Sequence, residues 1–238
     1  MENSIAQKIR EASSLKSADY LKALDIVYNR EAAILSFDLK TPLETRVNLV
    51  AKRFIDVFCS FFLLIFLFSW ILPIIAILIK LDSKGPVFFF QKRNKRNGKV
   101  FTCIKFRTMI VNDEADSMPA HENDHRITRL GKKLRNYHLD ELPQLLNVIW
   151  GDMSLIGPRP HMFTDNLKYA ELFAFYSDRH RVKPGITGLA QIMGYVGATE
   201  DPEKMAQRAR LDVFYIRHWS AALDTKIIFH TFFKMIGF

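Results

Sequence analysis

Cysteine is scarce. The 238 residues hold only Cys59 and Cys103, at no metal-ligand spacing. A metal site built on cysteine is excluded, and a reduced, cytosol-facing chain is the simpler reading. Glycine-rich phosphate loops are missing too: Pro184, Gly185 and Gly188 fix a loop but match no nucleotide fingerprint by spacing. There is no internal repeat and no low-complexity tract. A secretory signal is not expected, because the long apolar run begins far from Met1 and no small-residue cleavage site follows it.

What the chain does have is apolar surface and positive charge. Apolar residues make up 49 %, with 20 Phe, which is ample for a core. The 34 Lys and Arg outnumber the 25 Asp and Glu, giving net charge +9. Such a balance suits anionic partners: nucleic acid, phosphorylated small molecules or acidic lipid surfaces.

Three regions follow from the patterning: a helical extension over 1–45, a membrane-inserted helix over 46–81 and a mixed domain over 82–238. In the first, helical periodicity surrounds Leu15, Leu21, Leu24, Ile26 and Val27, and Pro42 is expected to end it. In the second, the run from Val57 to Ile79 has 23 residues and no charge. A straight helix of that length measures about 35 Å, enough for a bilayer core of about 30 Å. Pro73 predicts a kink within it. Cations flank it on both sides: Arg46, Lys52 and Arg53 before, and Lys80, Lys84, Lys92, Arg93, Lys95, Arg96 and Lys99 after. Both flanks therefore prefer the cytoplasm. A re-entrant hairpin bent at Pro73 satisfies both; a single span and a buried soluble helix are the alternatives.

Beyond the run, "PVFFFQKR" and "KVFTCIKFRTM" read as strands of a β-hairpin around Asn97-Gly98. Residues 112–125 read as polar loop, "RITRLGKKLRNYH" as a short basic helix and Leu142 onward as one helical face. "GDMSLIGPRP" and "KPGITG" read as loop and turn. "TDNLKYAELFAFYSDRH", "EKMAQRARLDVFYIRHW" and "DTKIIFHTFFKMIGF" read as helices. The fold class is α+β, mainly helical, with a small β-hairpin and amphipathic interfacial helices.

"HENDH" at 121–125 imitates a zinc-protease motif. Pro119, Asn123 and Asp124 oppose the helix that motif needs, so a solvated loop is the expectation. "YHLDELPQLLNVIWGDMSLIGPRP", residues 137–160, is more informative. Asp140 is placed as an N-cap and Pro143 in the first turn. Alone, that is ordinary capping. Its neighbours change the weighting: a basic segment before it, Lys105 and Arg107 in "IKFRTM", and Arg159 held between Pro158 and Pro160. Cations converging on an acid pair suggest a site for a polyanion with a divalent ion.

At these residues the chain resembles a family. "KRFIDV", "KFRTM", "NDHRITRLGKKLR", "LDELPQLLNVIWGDMSLIGPRP", "RHRVKPGITGLAQ" and "LDVFYIRHWS" with "LDTKII" are similar to the bacterial sugar transferases. These are the monotopic phosphoglycosyl transferases, or polyprenyl-phosphate sugar-1-phosphate transferases. The resemblance spans about residues 50–236. It implies a re-entrant membrane helix, often broken at Ser-Pro; here the pair is Leu72-Pro73. It implies transfer of a sugar-1-phosphate from a UDP-sugar to undecaprenyl phosphate, with release of UMP, as the first membrane step of a surface glycan. By match, Asp140 is the nucleophile, Glu141 helps to hold Mg²⁺ with it, and Arg159 with Pro158 binds phosphate. The location implied is the cytoplasmic face of a bacterial inner membrane, among its lipids, with downstream glycosyltransferases and further copies of the chain as compatible partners. The family chemistry has a physical rationale: an ionised carboxylate needs no general base, and its problem is repulsion from an anionic diphosphate.

Other residues carry divided expectations. Lys105 and Arg107 contact phosphate or lipid headgroups, or are solvated charge. Asp212 matches a recurrent family acid, against a surface ion pair. His138 is expected to be structural. Trp219 and "IIFHTFFKMIGF" lie in the headgroup layer or in a core helix. "GYVGATEDPEKMAQR", residues 194–208, is the candidate for sugar discrimination, and the region looks more like the hexose-transferring members. The rival functions are a non-catalytic, membrane-anchored basic scaffold and a nucleic-acid binder. The scaffold leaves the acid pair unexplained, and the binder lacks aromatic platforms interleaved with cations.

Overall fold

The computed structural model describes residues 41–112, 124–197 and 201–235. The extension over 1–45 lies almost wholly outside them, as do most of the 112–125 loop and His121 and Glu122. Pro42, expected to end a segment, opens a 3-10 turn, Pro42–Glu44.

Helix α1, Arg46–Leu63, and helix α2, Ser69–Asp82, are joined by a π-helical segment, Leu64–Phe68. α1 is amphipathic in the inverse sense to a helix on a water-facing surface. Lys52, Asp56 and Ser60, successive turns of one face, are buried. Phe54, Phe58 and Phe62 are exposed on another face, with ring centroids 5.9 and 5.1 Å apart. The protein body gives the inward charged groups partners, while the buried Ser60 hydroxyl has none among the described residues. Lys52 Nζ meets Asp224 at 2.7 Å, the Leu155 N–H donates to Asp56 at 3.1 Å, and Arg53 donates to the carbonyls of Val148 and Ile149 at 2.6 and 2.7 Å.

The bend does not fall at Pro73, which sits inside α2. It falls earlier, at the π-helical segment, where the axes part by 66°. Proline lacks the N–H that would pair one turn back, and its ring crowds that turn, so the distortion appears on its N-terminal side. Trp70 Nε1 donates to the Phe66 carbonyl at 2.6 Å, giving that carbonyl a partner there. Among the described residues no single helix is long and apolar enough to cross a membrane, whereas Arg46–Phe66 with Ser69–Asp82 meets that test as a bent pair. A 66° bend does not by itself return the chain to the face it entered.

Strands β1, Phe88–Asn94, and β2, Val100–Phe106, form the expected antiparallel hairpin, with Phe88 opposite Phe106 and Gln91 opposite Cys103. Asn97 and Gly98 adopt φ of 60° and 69°, the left-handed values such a turn requires. Helix α3, Arg129–Asn136, is capped by Thr128, whose side chain accepts from Gly131 N–H at 2.9 Å. Helix α4, Gln144–Trp150, lies along the hairpin. Its buried Asn147 stands in for a strand: Oδ1 accepts from Ile104 N–H at 3.0 Å and Nδ2 donates to Thr102 O at 2.8 Å. Ile75 and Ile79 of α2 bury against Phe106, Leu134 and Leu145 in one apolar cluster.

"GDMSLIGPRP" and "KPGITG" are not merely loops. β3, Ser154–Ile156, pairs in parallel with β4, Gly185–Thr187. Three-residue strands carry no readable periodicity, and the pairing depends on a close backbone approach. A Cβ on Gly185 would lie 2.1 Å from Gly157 N. The helix expected across "TDNLKYAELFAFYSDRH" is also shorter. α5 covers Phe163–Leu172, Phe173 is extended, and 3-10 turns span Ala174–Arg181, carrying Tyr176 into a cluster with Tyr169 and Met205.

A short helix α6, Leu189–Ile192, precedes α7, Pro202–Arg217, and α8, Ala221–Met235, follows. α8 is no core helix: Ile227 is buried, while Ile228, Phe229, Phe232 and Phe233 are exposed. Trp219 is not at a headgroup layer either. It is buried and its Nε1 donates to Asp224 at 3.0 Å.

Asn147→Ala strands a buried N–H and a buried carbonyl beside β2. The expected loss is about 3 kcal/mol, read by denaturant or thermal unfolding in detergent.

Candidate active site

Asp140 and Glu141 lie on a 3-10 turn, Leu139–Glu141, entered from His138 in the left-handed conformation. The expectation that Asp140 caps the following helix is corrected. α4 begins at Gln144, Pro143 occupies its N-cap, and no side chain caps it. Proline has no N–H to be capped, and the turn tightens to 3-10 bonds from Leu142 N to Leu139 O and from Leu145 N to Leu142 O, 3.3 and 3.1 Å. Asp140 is thereby released from structural service.

The two carboxylates have opposite environments. Glu141 is held by cations: Lys105 Nζ donates to Oε1 at 2.9 Å, and Arg159 forms a fork, with NH1 on Oε2 at 2.8 Å and NH2 on Oε1. Burial alone would raise Glu141's pKa, but Arg159 and Lys105 outweigh it and hold the carboxyl well below its ordinary range. Asp140 has no hydrogen bond to its side chain among the described residues. Burial, and then the charge of Glu141, push its pKa up, against the pull of Lys105, Arg135 and Arg159. Neighbouring carboxylates with pKa values driven apart are a common arrangement at reactive sites.

Both line an open cleft of about 1360 Å³, together with Lys105, Arg159, His161 and Arg208. β2 supplies Lys105 and the loop after β3 supplies Arg159. That loop is anchored from behind. Arg179 NH2 donates to the Arg159 carbonyl at 2.6 Å, while its Nε and NH2 bind Asp212 at 3.1 and 2.7 Å. Asp212 is thus neither a surface ion pair nor a cleft ligand; it is 2 % exposed and orients Arg179. Pro158 contributes its carbonyl, which accepts from Gly185 N–H at 2.9 Å.

Arg107 is placed differently from Lys105. Its guanidinium donates to the carbonyls of Lys84, Ser83 and Ile79 at 2.5, 2.8 and 3.5 Å, closing the C-terminal end of α2. His138 is exposed at the cleft edge. Val196, Gly197, Met205 and Arg208, from the stretch marked for sugar discrimination, also line the cleft. Sequence reasoning did not single out Arg179, His161 or Arg93. Arg179 opens the quoted stretch "RHRVKPGITGLAQ" and His161 follows "GPRP", which were the signals available; Arg93 looked like one cation in a run.

No group of three or more His, Cys, Asp or Glu able to hold a metal occurs among the described residues. A hard divalent ion that uses one or two carboxylates and completes its shell with phosphate and water fits this donor set, since Asp140 is uncommitted.

An acid pair in a cation-lined cleft, on a body whose first helix turns its apolar face outward, is an arrangement able to hold phosphorylated ligands. The family model for bacterial sugar transferases matches residues 47–237, and the chain belongs to that family. It is 50 % identical over 189 residues to a UDP-glucose:undecaprenyl-phosphate glucose-1-phosphate transferase of Klebsiella pneumoniae, covering 79 % of this chain and 40 % of that protein. It is 44 % identical over 190 residues to the exopolysaccharide production protein PSS of Rhizobium leguminosarum bv. phaseoli, covering 78 % and 94 %. Identity is 41 % over 182 residues to a UDP-N-acetylgalactosamine-undecaprenyl-phosphate N-acetylgalactosaminephosphotransferase of Aeromonas hydrophila, covering 76 % and 42 %. The chain spans about two fifths of the length of the glucose-1-phosphate transferase it matches in Klebsiella.

Asp212→Asn leaves the Arg179 guanidinium buried without its counter-ion. Unfolding measurements should show a loss of about 3 kcal/mol, and unchanged stability would remove the anchor assigned to this pair.

Proposed function

We propose that the chain transfers a sugar-1-phosphate, a hexose-1-phosphate, from a UDP-sugar to undecaprenyl phosphate and releases UMP. The observation that carries this reading is the split dyad: an uncommitted Asp140 beside a Glu141 that stations two cations next to it. The activities that the relatives from Klebsiella and Aeromonas are named for support the reaction class, and the higher identity to the former supports a hexose.

The chemistry runs in two displacements. An Asp140 oxygen attacks the phosphorus that bears the sugar. The bond from that phosphorus to the bridging oxygen breaks, and UMP departs with the electron pair. An oxygen of undecaprenyl phosphate then attacks the same phosphorus, and the Asp140 carboxylate is restored. Arg159 and Lys105 exchange part of their contact with Glu141 for the diphosphate, so the incoming charge is met by cations already in place. Arg179 and Asp212 keep the Arg159 backbone from yielding as that exchange occurs. When bound, Mg²⁺ would be held by Asp140, Glu141 and phosphate oxygens, and would supply further neutralising charge. The outward Phe face of α1 and the apolar outer face of α2 support insertion of the bent pair into the cytoplasmic leaflet of a bacterial inner membrane as a re-entrant element, with Arg46 before it and Lys80 and Lys84 after it on the same side. The acceptor's phosphate then arrives at the depth of the cleft.

UMP release from UDP-glucose, with undecaprenyl phosphate, Mg²⁺ and detergent, should fall at least about 10³-fold in Asp140→Asn. Without acceptor, label in the sugar-bearing phosphate should stay on the wild-type protein. Release that survives the substitution removes Asp140 as nucleophile. The pH profile offers a separate check. Asp140 acts as an anion, so the rate drops as pH falls through its raised pKa. Lys105 pulls that pKa down, so Lys105→Met should move the acid limb of kcat/KM to higher pH. Glu141 pushes it up, so residual activity in Glu141→Gln should have its acid limb at lower pH.

A further inference from the structure

His161 directly follows "GPRP" and takes no part in the chemistry above. It lines the same cleft as Asp140 and Arg159, it is 5 % exposed, and its Nε2 has no hydrogen-bond partner among the described residues. A buried polar atom without a partner in a ligand cleft is costly unless a ligand supplies one.

A chain of hydrogen bonds settles which kind of partner Nε2 requires. Asn94 Nδ2 donates to the Gly98 carbonyl at 2.8 Å. A carbonyl only accepts, so the orientation of the Asn94 amide follows, and its Oδ1 accepts from Asn166 Nδ2 at 2.7 Å. Asn166 Oδ1 then accepts from the Tyr176 hydroxyl at 3.0 Å. That commits the single phenolic proton. Toward His161 Nδ1, 2.6 Å away, the hydroxyl oxygen is therefore an acceptor, and Nδ1 carries the imidazole proton. Nε2 is left with a lone pair. Burial, and the charges of Arg179, Arg208, Arg93 and Arg159, hold the ring's pKa well below its ordinary value, so the ring stays neutral.

Among the cations of this cleft, Nε2 is an acceptor. A phosphate offers it nothing, being an acceptor too. An O–H or N–H must come from elsewhere on the ligand. Arg159 and His161 are separated by one residue, a span of at most about 7 Å. The groups within such reach of a diphosphate are the rings attached to it, which carry hydroxyls. We propose that Nε2 of His161 accepts a hydrogen bond from a hydroxyl of the nucleotide sugar, and so helps to set which sugar nucleotide the cleft prefers. This rests on reading the cleft as a nucleotide-sugar site. The hydroxyl belongs either to the hexose or to the ribose, and the ligand series below separates them.

The experiment is calorimetric binding to the full chain in detergent. The ligands are UDP-glucose, its single-deoxy hexose analogues and its 2′- and 3′-deoxyribose analogues. Removing one particular hydroxyl should weaken binding to the wild type about tenfold or more. His161→Phe should bind UDP-glucose about that much more weakly and be indifferent to the same deletion, so the ratio falls close to one. A hexose analogue giving this result assigns the contact to the sugar, and a ribose analogue assigns it to the nucleoside. A variant that weakens all ligands equally and keeps the wild-type ratios overturns the proposal, because that is what a merely structural histidine would do. Should His161→Phe fail to fold, Tyr176→Phe keeps the imidazole but frees its tautomer, and the ratio should drop part of the way; an unchanged ratio counts against the proposal. Nitrogen NMR of the wild type must also find Nδ1 protonated, and a proton on Nε2 overturns the argument at its root. Binding does not depend on turnover. UDP-glucose bound without UMP release defeats the transfer reading and leaves His161 standing, whereas binding with unchanged ratios defeats His161 alone.

Discussion

Three N–H donors from two cations converge on Glu141, and the cleft is organised around that grip. Lys105 reaches it from β2 and Arg159 from the loop after β3, so one carboxylate joins the antiparallel hairpin to the parallel pair. Its neighbour Asp140 is left without a side-chain hydrogen bond among the described residues, and its pKa is raised by burial and then by the very charge the cations stabilise. The grip is useful only if Arg159 cannot drift. Two flanking prolines limit its backbone, and Arg179, clamped on Asp212, holds its carbonyl from behind. A buried ion pair of this kind is weak evidence for net stability. Its effect here is positional: it carries order from α7 to a loop otherwise held through β3, the Gly185 N–H on Pro158 and the Glu141 carboxylate.

A second constraint comes from α1. A helix that buries Lys52, Asp56 and Ser60 and exposes stacked phenylalanines is stable only with a polar body on one side and an apolar phase on the other. The inward polar groups are therefore more than anchors. Arg53 closes the carbonyls at the end of α4, Asp56 receives the N–H of Leu155 at β3, and Lys52 meets Asp224 at the start of α8. The helix with the apolar face is thus bonded to the elements that carry the site, and Arg107 does the same for the end of α2. Cleft and apolar surface are thus built as one unit.

Much of this was legible in the sequence where the signal is local. The hairpin followed from alternation around Asn97-Gly98, the helices α3, α7 and α8 from their spacing, and the apolar run from length and lack of charge. The acid pair and Arg159 were legible as a cluster. What misled were features whose outcome depends on distant partners. Asp140 has the residue type and position of an N-cap, yet the 3-10 turn places the N-cap at Pro143, three residues beyond it. Arg107 looks like its neighbour Lys105. Lys105 is in β2 and reaches Glu141, whereas Arg107 lies just past the strand's end at Phe106 and its guanidinium reaches the carbonyls at the end of α2, a difference that appears only once β2 is seated.

Composition, the uncharged run and the ordered motifs determined the class of chain, its apolar surface and the place of the acid pair, because each is a property of residues near one another in the chain. The parallel pairing of Ser154–Ile156 with Gly185–Thr187, the Asp212–Arg179 support of Arg159 and the tautomer of His161 were decided by tertiary structure. Each joins groups far apart in sequence, or depends on a hydrogen bond whose direction is set only when the last member of a network is in place.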